Sequence, residues 1–383
     1  MNFWKSINRI AACLALGSLM ASCSLVEDDL PECGLDLYFR YDYNLERANM
    51  FPDHVGGLRA YVYDENGKFL TSQTEARTAA SNPFKRDGYH MHFALPKGKY
   101  RVVAVAFQKD YNEALTTPGA KFRYSEPAVG DDITNLRFDL EHYDNAEADG
   151  RFAVNAYAPL DTLWVGMSGN ELTANTYHAA PQAQLIEVQG DKGSSRDTIS
   201  LVRDTKQINV TLRDIELPSD MDVNNYEFRI LDRNASLLWN NVVEENTPLL
   251  YTPYNTWNTE DRSVSSQSTA NVSTLADATS GAGRIAHADF MTSRILYHDN
   301  AADDAILSVT NRTTGIEVIR VDLADLLSRL RTSADIYRYT PQQFLDRGYD
   351  YKLSFFLQGD RWRYVNVEIS VLNWSVRYQR EQL

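Results

Sequence analysis

Leu35-Asp36-Leu37-Tyr38-Phe39-Arg40-Tyr41-Asp42-Tyr43 decides the fold class. Every second residue is apolar or aromatic, so Leu35, Leu37, Phe39, Tyr41 and Tyr43 share one face, while Asp36, Tyr38, Arg40 and Asp42 share the other. That is the period of a half-buried strand. The same texture continues outward. Residues 58–63 read as a strand closed by Asp64-Glu65-Asn66-Gly67, where Asn-Gly is a strong hairpin signal leading into residues 68–71. Residues 90–95 turn at Pro96-Lys97-Gly98 into 100–107, a Val/Ala/Phe run apolar on both faces and therefore expected inside a sheet. Further strands are expected at 133–140, 161–166 and 183–188.

The loop-like run from Gln189 to Ser195 is taken as the boundary between two halves. Beyond it, residues 206–212 alternate Ile208, Val210 and Leu212 against Gln207, Asn209 and Thr211, and 226–231 follow in the same style. Residues 255–283 are poor in large apolar side chains and read as a long exposed loop. Strands return at 306–310 and 316–321. Leu323, Leu326, Leu327 and Leu330, behind a capping Asp322, form a short helix with one apolar face. Residues 351–357 and 364–371 make a final hairpin, followed by Trp374 and a short charged tail. With turns at strand-sized intervals and no long helical period, the class is all-β: two tandem β-sandwich domains, 35–190 and 191–383, with one short helix in the second.

The N-terminus carries a different signal. Lys5 and Arg9 precede an apolar run from Ile10 to Met20 that is shorter than the roughly 20 residues a membrane span needs. Basic start and apolar run together are those of a secretory signal peptide, residues 1–22. The run ends in Met20, Ala21 and Ser22 before Cys23, the pattern of a bacterial lipobox. Cysteine is required there because a thiolate is nucleophilic enough to take up a diacylglyceryl group. Each buried CH₂ of an acyl chain contributes about 0.8 kcal/mol, and two or more chains hold where one does not. Residues 23–34 then form a lipidated acidic tether in which Glu27, Asp28 and Asp29 are either plain solubilising charge or a surface-export signal.

Composition narrows the partners. The chain of 383 residues has a formal charge of −14 and no basic patch, which argues against nucleic acid and against adhesion to anionic lipid by charge. Of its three cysteines, Cys13 leaves with the signal and Cys23 is acylated. Cys33 alone remains, so the mature chain has no intrachain disulfide. His90 and His92 share a strand face but have no third ligand at metal spacing, and Asp131-Asp132 and Asp303-Asp304 lack the framework of a calcium loop. No nucleophile elbow, phosphate loop or dinucleotide fingerprint is present. Neither an active site nor a cofactor is expected.

The ordered set of motifs resembles the FimB-type fimbrial anchor subunits of Bacteroidales. It begins with Asp28-Asp29-Leu30, Cys33, residues 37–44, Phe51, Val55 and the run from Val62 to Lys68. It continues with Ser293-Arg294-Ile295-Leu296, Asn311-Arg312-Thr313-Thr314-Gly315 and Val321-Asp322-Leu323, then with residues 343–347, 351–357 and Trp374. The resemblance implies transthyretin-like sandwiches and a lipid-anchored outer-membrane subunit that caps the base of a type V fimbria and limits its length. It also implies a stalk subunit as partner, joined by strand addition. In that family, stalk and tip subunits are cut after an Arg near the first strand; an anchor should escape the cut, which here turns on Arg40 and Arg47. Candidate assembly strands are the first, with Leu35, Leu37, Phe39 and Tyr41, and a late one, with Val365, Val367, Ile369 and Val371. The tail after Trp374 looks too short and too charged to serve as a donor strand. Alternative readings are a processed stalk or tip subunit, or a surface glycan-binding lipoprotein using Trp164, Trp239, Trp257 or Trp362.

Overall fold

The computed structural model describes residues 34–144, 150–154, 158–169, 184–189, 193–261, 283–331, 339–371 and 374–381. Met20, Ala21, Ser22, Cys23, Glu27, Asp28, Asp29 and Cys33 lie outside them. The first half supplies β1 (Leu35–Arg40), β2 (Gly57–Asp64), β3 (Phe69–Ala76), β4 (Met91–Phe93), β5 (Gly98–Phe107), β6 (Phe122–Arg123), β7 (Arg137–Leu140), β8 (Tyr143–Asp144), β9 (Phe152–Ala153), β10 (Leu163–Met167), β11 (Ile186–Val188) and β12 (Ser195–Arg203). The second supplies β13 (Thr205–Asp214), β14 (Tyr226–Asp232), β15 (Ser236–Leu238), β16 (Val243–Glu244), β17 (Leu249–Tyr251), β18 (Asn255–Asp261), β19 (Gly283–Ser293), β20 (Ile306–Asn311), β21 (Glu317–Asp322), β22 (Asp350–Gln358), β23 (Arg361–Val371) and β24 (Trp374–Glu381).

The first sheet runs β3-β2-β5-β10-β12-β1-β4, with β11 also on β5. It curls over on itself because β12 changes neighbours along its length. Its N-terminal part, Ser195 to Ser200, lies parallel to β1, and its C-terminal part, Leu201 to Arg203, lies antiparallel to β10. A strand that passes from one layer to another makes a sandwich corner. Leu35, Leu37 and Phe39 thereby pack in one core with Leu58, Ala60, Val62, Val102, Ala104 and Ala106 from the facing layer. The alternate residues of β2 and β5, including Tyr61, Tyr63, Val103 and Val105, belong to a second, larger core. The run 100–107 is thus buried on both faces, as its composition requires.

That larger core is closed by the second half. A six-stranded sheet, β18-β19-β13-β22-β23-β24, faces another, β21-β20-β14-β17-β9-β8, and a small sheet, β16-β15-β7-β6, completes the enclosure. Ile208, Val210, Phe290, Leu353, Val365 and Val367 line the inner face of the first of these and meet Phe228, Ile230, Leu307 and Val309.

Several expectations need correction in detail. Pairing does not change at residue 190: β12, beyond it, completes the first sheet, while β7 and β9, before it, pair with β15 and β17. A Gly/Ser-rich stretch marks a connection between strands as readily as a linker between domains. Residues 255–261 are a strand rather than loop; β18 is polar because it is the edge of its sheet. Among the described residues, the second half has two short helices, Leu323–Ser328 and Pro341–Arg347, and the first has one-turn helices at Phe51–His54 and Tyr111–Ala114. Asp322 does cap the first of the second-half pair, its carboxylate accepting from Asp325 N at 2.8 Å. The other, which the sequence reading missed, starts at Thr340-Pro341 with a capping box to Gln343 and a proline in the first turn.

Candidate assembly strands and the tether junction

β1 follows directly on the expected tether, and both of its edges are taken. Six residues pair with β12 on one side, Leu35 opposite Ser195 through Arg40 opposite Ser200, and three pair with β4 on the other. The inward residues Leu35, Leu37 and Tyr41 are fully buried and Phe39 nearly so. Parallel pairing between strands so distant in sequence needs a long connection, here most of the first half.

The chain leaving β1 is fixed by side chains rather than by sheet bonds. Tyr41 N donates to Asn49 Oδ1 at 2.9 Å, and the buried Asn44 Nδ2 donates to the carbonyls of Tyr41 and Ala48, both at 2.9 Å. Within this turn Arg47 is exposed and adopts φ +55°. Arg40 is also exposed and pairs with Asp42 at 2.7 Å. The turn is tied to the second half by aromatic and charged contacts. The Arg347 guanidinium lies 3.8 Å from the centre of the Tyr43 ring and 4.4 Å from that of Tyr339. Tyr349 OH donates to Glu46 Oε1 at 3.0 Å.

Arg347 ends a helix held from below. Arg294 Nε and Nη2 donate to the two carboxylate oxygens of Asp346, each at 2.8 Å, and neither side chain has more than 2% of its surface exposed. Gln342 Nε2 donates to the same carboxylate, and the buried Lys206 Nζ donates to the carbonyls of Asp346 and Gly348. Burial pulls the Lys206 ammonium well below its ordinary range against the pull of Asp346, and pushes the nearby Asp204 carboxyl up. Charges taken out of water this far persist only where partners and hydrogen bonds surround them.

The late assembly strand is also interior. β23 pairs with β22 on one side and with β24 on the other, from Tyr364 opposite Glu381 to Val371 opposite Trp374. Val365, Val367 and Ile369 face the core. Residues 374–381 form an eight-residue strand on β23 of their own chain, and among the described residues the sheet ends on it. The structure does not bring β1 and β23 together: they lie in different sheets. Of the tryptophans, Trp164 and Trp362 are buried, Trp239 is half-buried against the core, and Trp257 stacks on His287 with centroids 4.7 Å apart. His92 Nδ1 lies 2.7 Å from Asp36 Oδ1, and among the described residues no group of three potential ligands could hold a metal.

A protein-family model described as fimbrillin-A associated anchor proteins Mfa1 and Mfa2 matches residues 29–380. No curated protein matches the sequence. Among solved structures, a candidate adhesin from Bacteroides thetaiotaomicron is 24% identical and superposes with a TM-score of 0.64, covering 91% of this chain and 99% of that one. A candidate adhesin from Bacteroides ovatus is 20% identical, with a TM-score of 0.60 over 93% and 98% of the two chains. The fimbrial anchor protein Mfa2 from Porphyromonas gingivalis is 15% identical, with a TM-score of 0.54 over 90% and 98%. At these identities the structural likenesses establish the shared fold.

Proposed function

The chain belongs to the family of fimbrillin-A associated anchor proteins, and from that premise we propose that it is the lipid-anchored subunit that attaches a type V fimbria to the outer membrane and caps its base. Lipid on Cys23 would hold the N-terminus in the outer leaflet, with the acidic tether of Glu27, Asp28 and Asp29 leading to the cell surface. The observation that carries the reading is the placement of β1. The strand next to the tether is paired on both edges and buried on its inner face, and its exit turn is fastened to the second half. A subunit that must stay joined to its tether is served by such a strand; one that sheds its first strand on maturation is not.

The stalk subunit is proposed to join by strand addition at the β23–β24 end of the six-stranded sheet, where the sheet terminates. A partner strand would either extend the sheet beyond β24 or replace it against Val365, Val367 and Ile369. Capping of the base, and with it control of length, follows if this chain offers the stalk one junction and no second. The deciding experiment is the mass of the N-terminal peptide from membrane-extracted protein. An acylated peptide beginning at Cys23 and continuous through Arg40 and Arg47 is expected. A lipid-free chain starting at Tyr41 or Ala48 would make this a processed stalk or tip subunit.

A further inference from the structure

A recess of about 400 Å³ opens at the seam between the first sheet and the six-stranded sheet. Among its lining residues is Arg203, the last residue of β12. That side chain is more than nine-tenths buried, with its guanidinium 4.1 Å from the centre of the Tyr349 ring and 5.6 Å from that of Trp164. Nε has no hydrogen-bond partner, and no carboxylate among the described residues forms an ion pair with it. Glu46 and Asp350 act on it through charge without forming an ion pair; Glu46 Oε1 accepts from Tyr349, and Glu46 Oε2 is buried without a hydrogen-bond partner. Buried guanidinium groups are ordinarily matched by a carboxylate or phosphate, frequently in bidentate fashion. Here the cation lines a recess and forms no such pair among the described residues.

The other walls narrow the ligand. Thr162, Gln108, Gln207 and Tyr254 bring hydroxyl and amide groups to the recess, and Thr162 Oγ1 donates to Gln108 Oε1 at 3.2 Å. The half-buried rings of Tyr254 and Tyr349 add apolar surface, and His54 stands beside them. Burial, then the charge of Arg203, keeps His54 below the ordinary imidazole range, so it adds no second cation near neutral pH. Asp53, at the rim, is turned to Lys85 at 2.8 Å. One buried guanidinium, several neutral hydrogen-bonding groups and stacking surface in a space that takes one sugar ring suit a polyhydroxylated monocarboxylate.

We propose that this recess binds an acidic sugar, a hexuronate, whose carboxylate meets the Arg203 guanidinium and whose hydroxyls meet Gln108, Thr162, Gln207 and Tyr254. The site goes beyond the anchoring role and does not depend on it.

The test is calorimetric titration of the full mature chain with galacturonate, galactose, acetate and an alanine dipeptide, with melting temperature followed in parallel. Galacturonate should bind about tenfold or more tightly than galactose, since the charged hydrogen bonds are roughly twice as strong as neutral ones. It should also exceed acetate, which lacks the hydroxyls. Arg203→Met should abolish the preference over galactose. Because Arg203 also packs the seam, the rim variant Gln108→Ala/Gln207→Ala serves as a second probe; it should melt like wild type and bind galacturonate several-fold more weakly. Equal binding of galactose and galacturonate, equal or tighter binding of acetate or the dipeptide, or no galacturonate binding to folded protein overturns the proposal and leaves Arg203 a packing group.

Discussion

Consider a chain that begins at Tyr41, the product that cleavage after Arg40 would leave. It lacks Leu35, Leu37 and Phe39, which are 0%, 0% and 5% exposed in the intact protein. Burying an apolar side chain of this size contributes about 1.5–3 kcal/mol, so the three together supply about 5–9 kcal/mol. The figure is an upper estimate, because an unfolded chain already hides part of that surface. It is still comparable with the whole stability of a typical domain, about 5–15 kcal/mol. The backbone groups of β12 and β4 that faced β1 also lose their partners. For a domain of this size each kcal/mol moves the midpoint by about 2–4 °C, so the shortened chain should melt about 10–30 °C below one beginning at Gly34. Scanning calorimetry on the two chains measures the difference, and a peptide of residues 34–40 added in trans should restore part of it. A shortened chain that melts within the few degrees a single kcal/mol accounts for would refute the claim that β1 holds the first sandwich together.

Three further outcomes are expected. Asp346→Ala leaves Arg294 buried without its carboxylate and should cost about 3–5 kcal/mol in urea unfolding, while Asp346→Ala/Arg294→Met should recover part of the loss. Asn44→Ala removes one buried and one partly buried hydrogen bond from the turn after β1 and should cost about 1–3 kcal/mol; limited trypsin digestion should then cut at Arg47 sooner than in wild type. His298 lies 2.8 Å from Asp304 and 2.9 Å from Glu245; burial pulls its pKa down, but those hydrogen bonds outweigh burial and leave it raised above 6.5. Its contribution is therefore complete below pH 6.5 and fades as pH rises through the raised value. His298→Gln should destabilise the protein more at about pH 5.5 than at about pH 8.5 in paired denaturation curves.

What was legible in the sequence was alternation, and it was legible wherever one face of a strand meets a core and the other meets water. Residues 35–43, 207–210 and 364–369 obey that rule, whereas Thr211, on the outward side, is buried as well. The rule fails where a strand changes surroundings along its length. β12 begins with Ser195, Arg196 and Asp197 in the outer layer and ends with Leu201 and Val202 buried between layers, so no single period describes it. It fails again at edges, where β18 and β24 carry polar and charged residues, and in β19, whose inward Ala286 and Ala288 are too small to stand out.

The junction after β1 was hidden for another reason. Arg203, Asp204, Lys206, Arg294, Asp346 and Arg347 are all buried, yet in a sequence a charged residue reads as surface. Each is identified only by partners brought from distant parts of the chain, as Arg294 by Asp346 and Tyr43 by Arg347. Arg203 is the extreme case: nothing near it in sequence distinguishes it from any arginine at the end of a strand.

The way β1 is fastened has a mechanical side. Tension arriving at Gly34 runs lengthwise along a strand whose neighbours lie beside it, so its hydrogen bonds are strained together in shear rather than peeled one by one. What β1 does not absorb reaches Tyr43 and Glu46, which hand it to Arg347 and Tyr349 and so to the strands of the second half. If the stalk joins at β24 and the N-terminus is tethered, as proposed, drag on the filament would travel through both sandwiches before it reached the membrane.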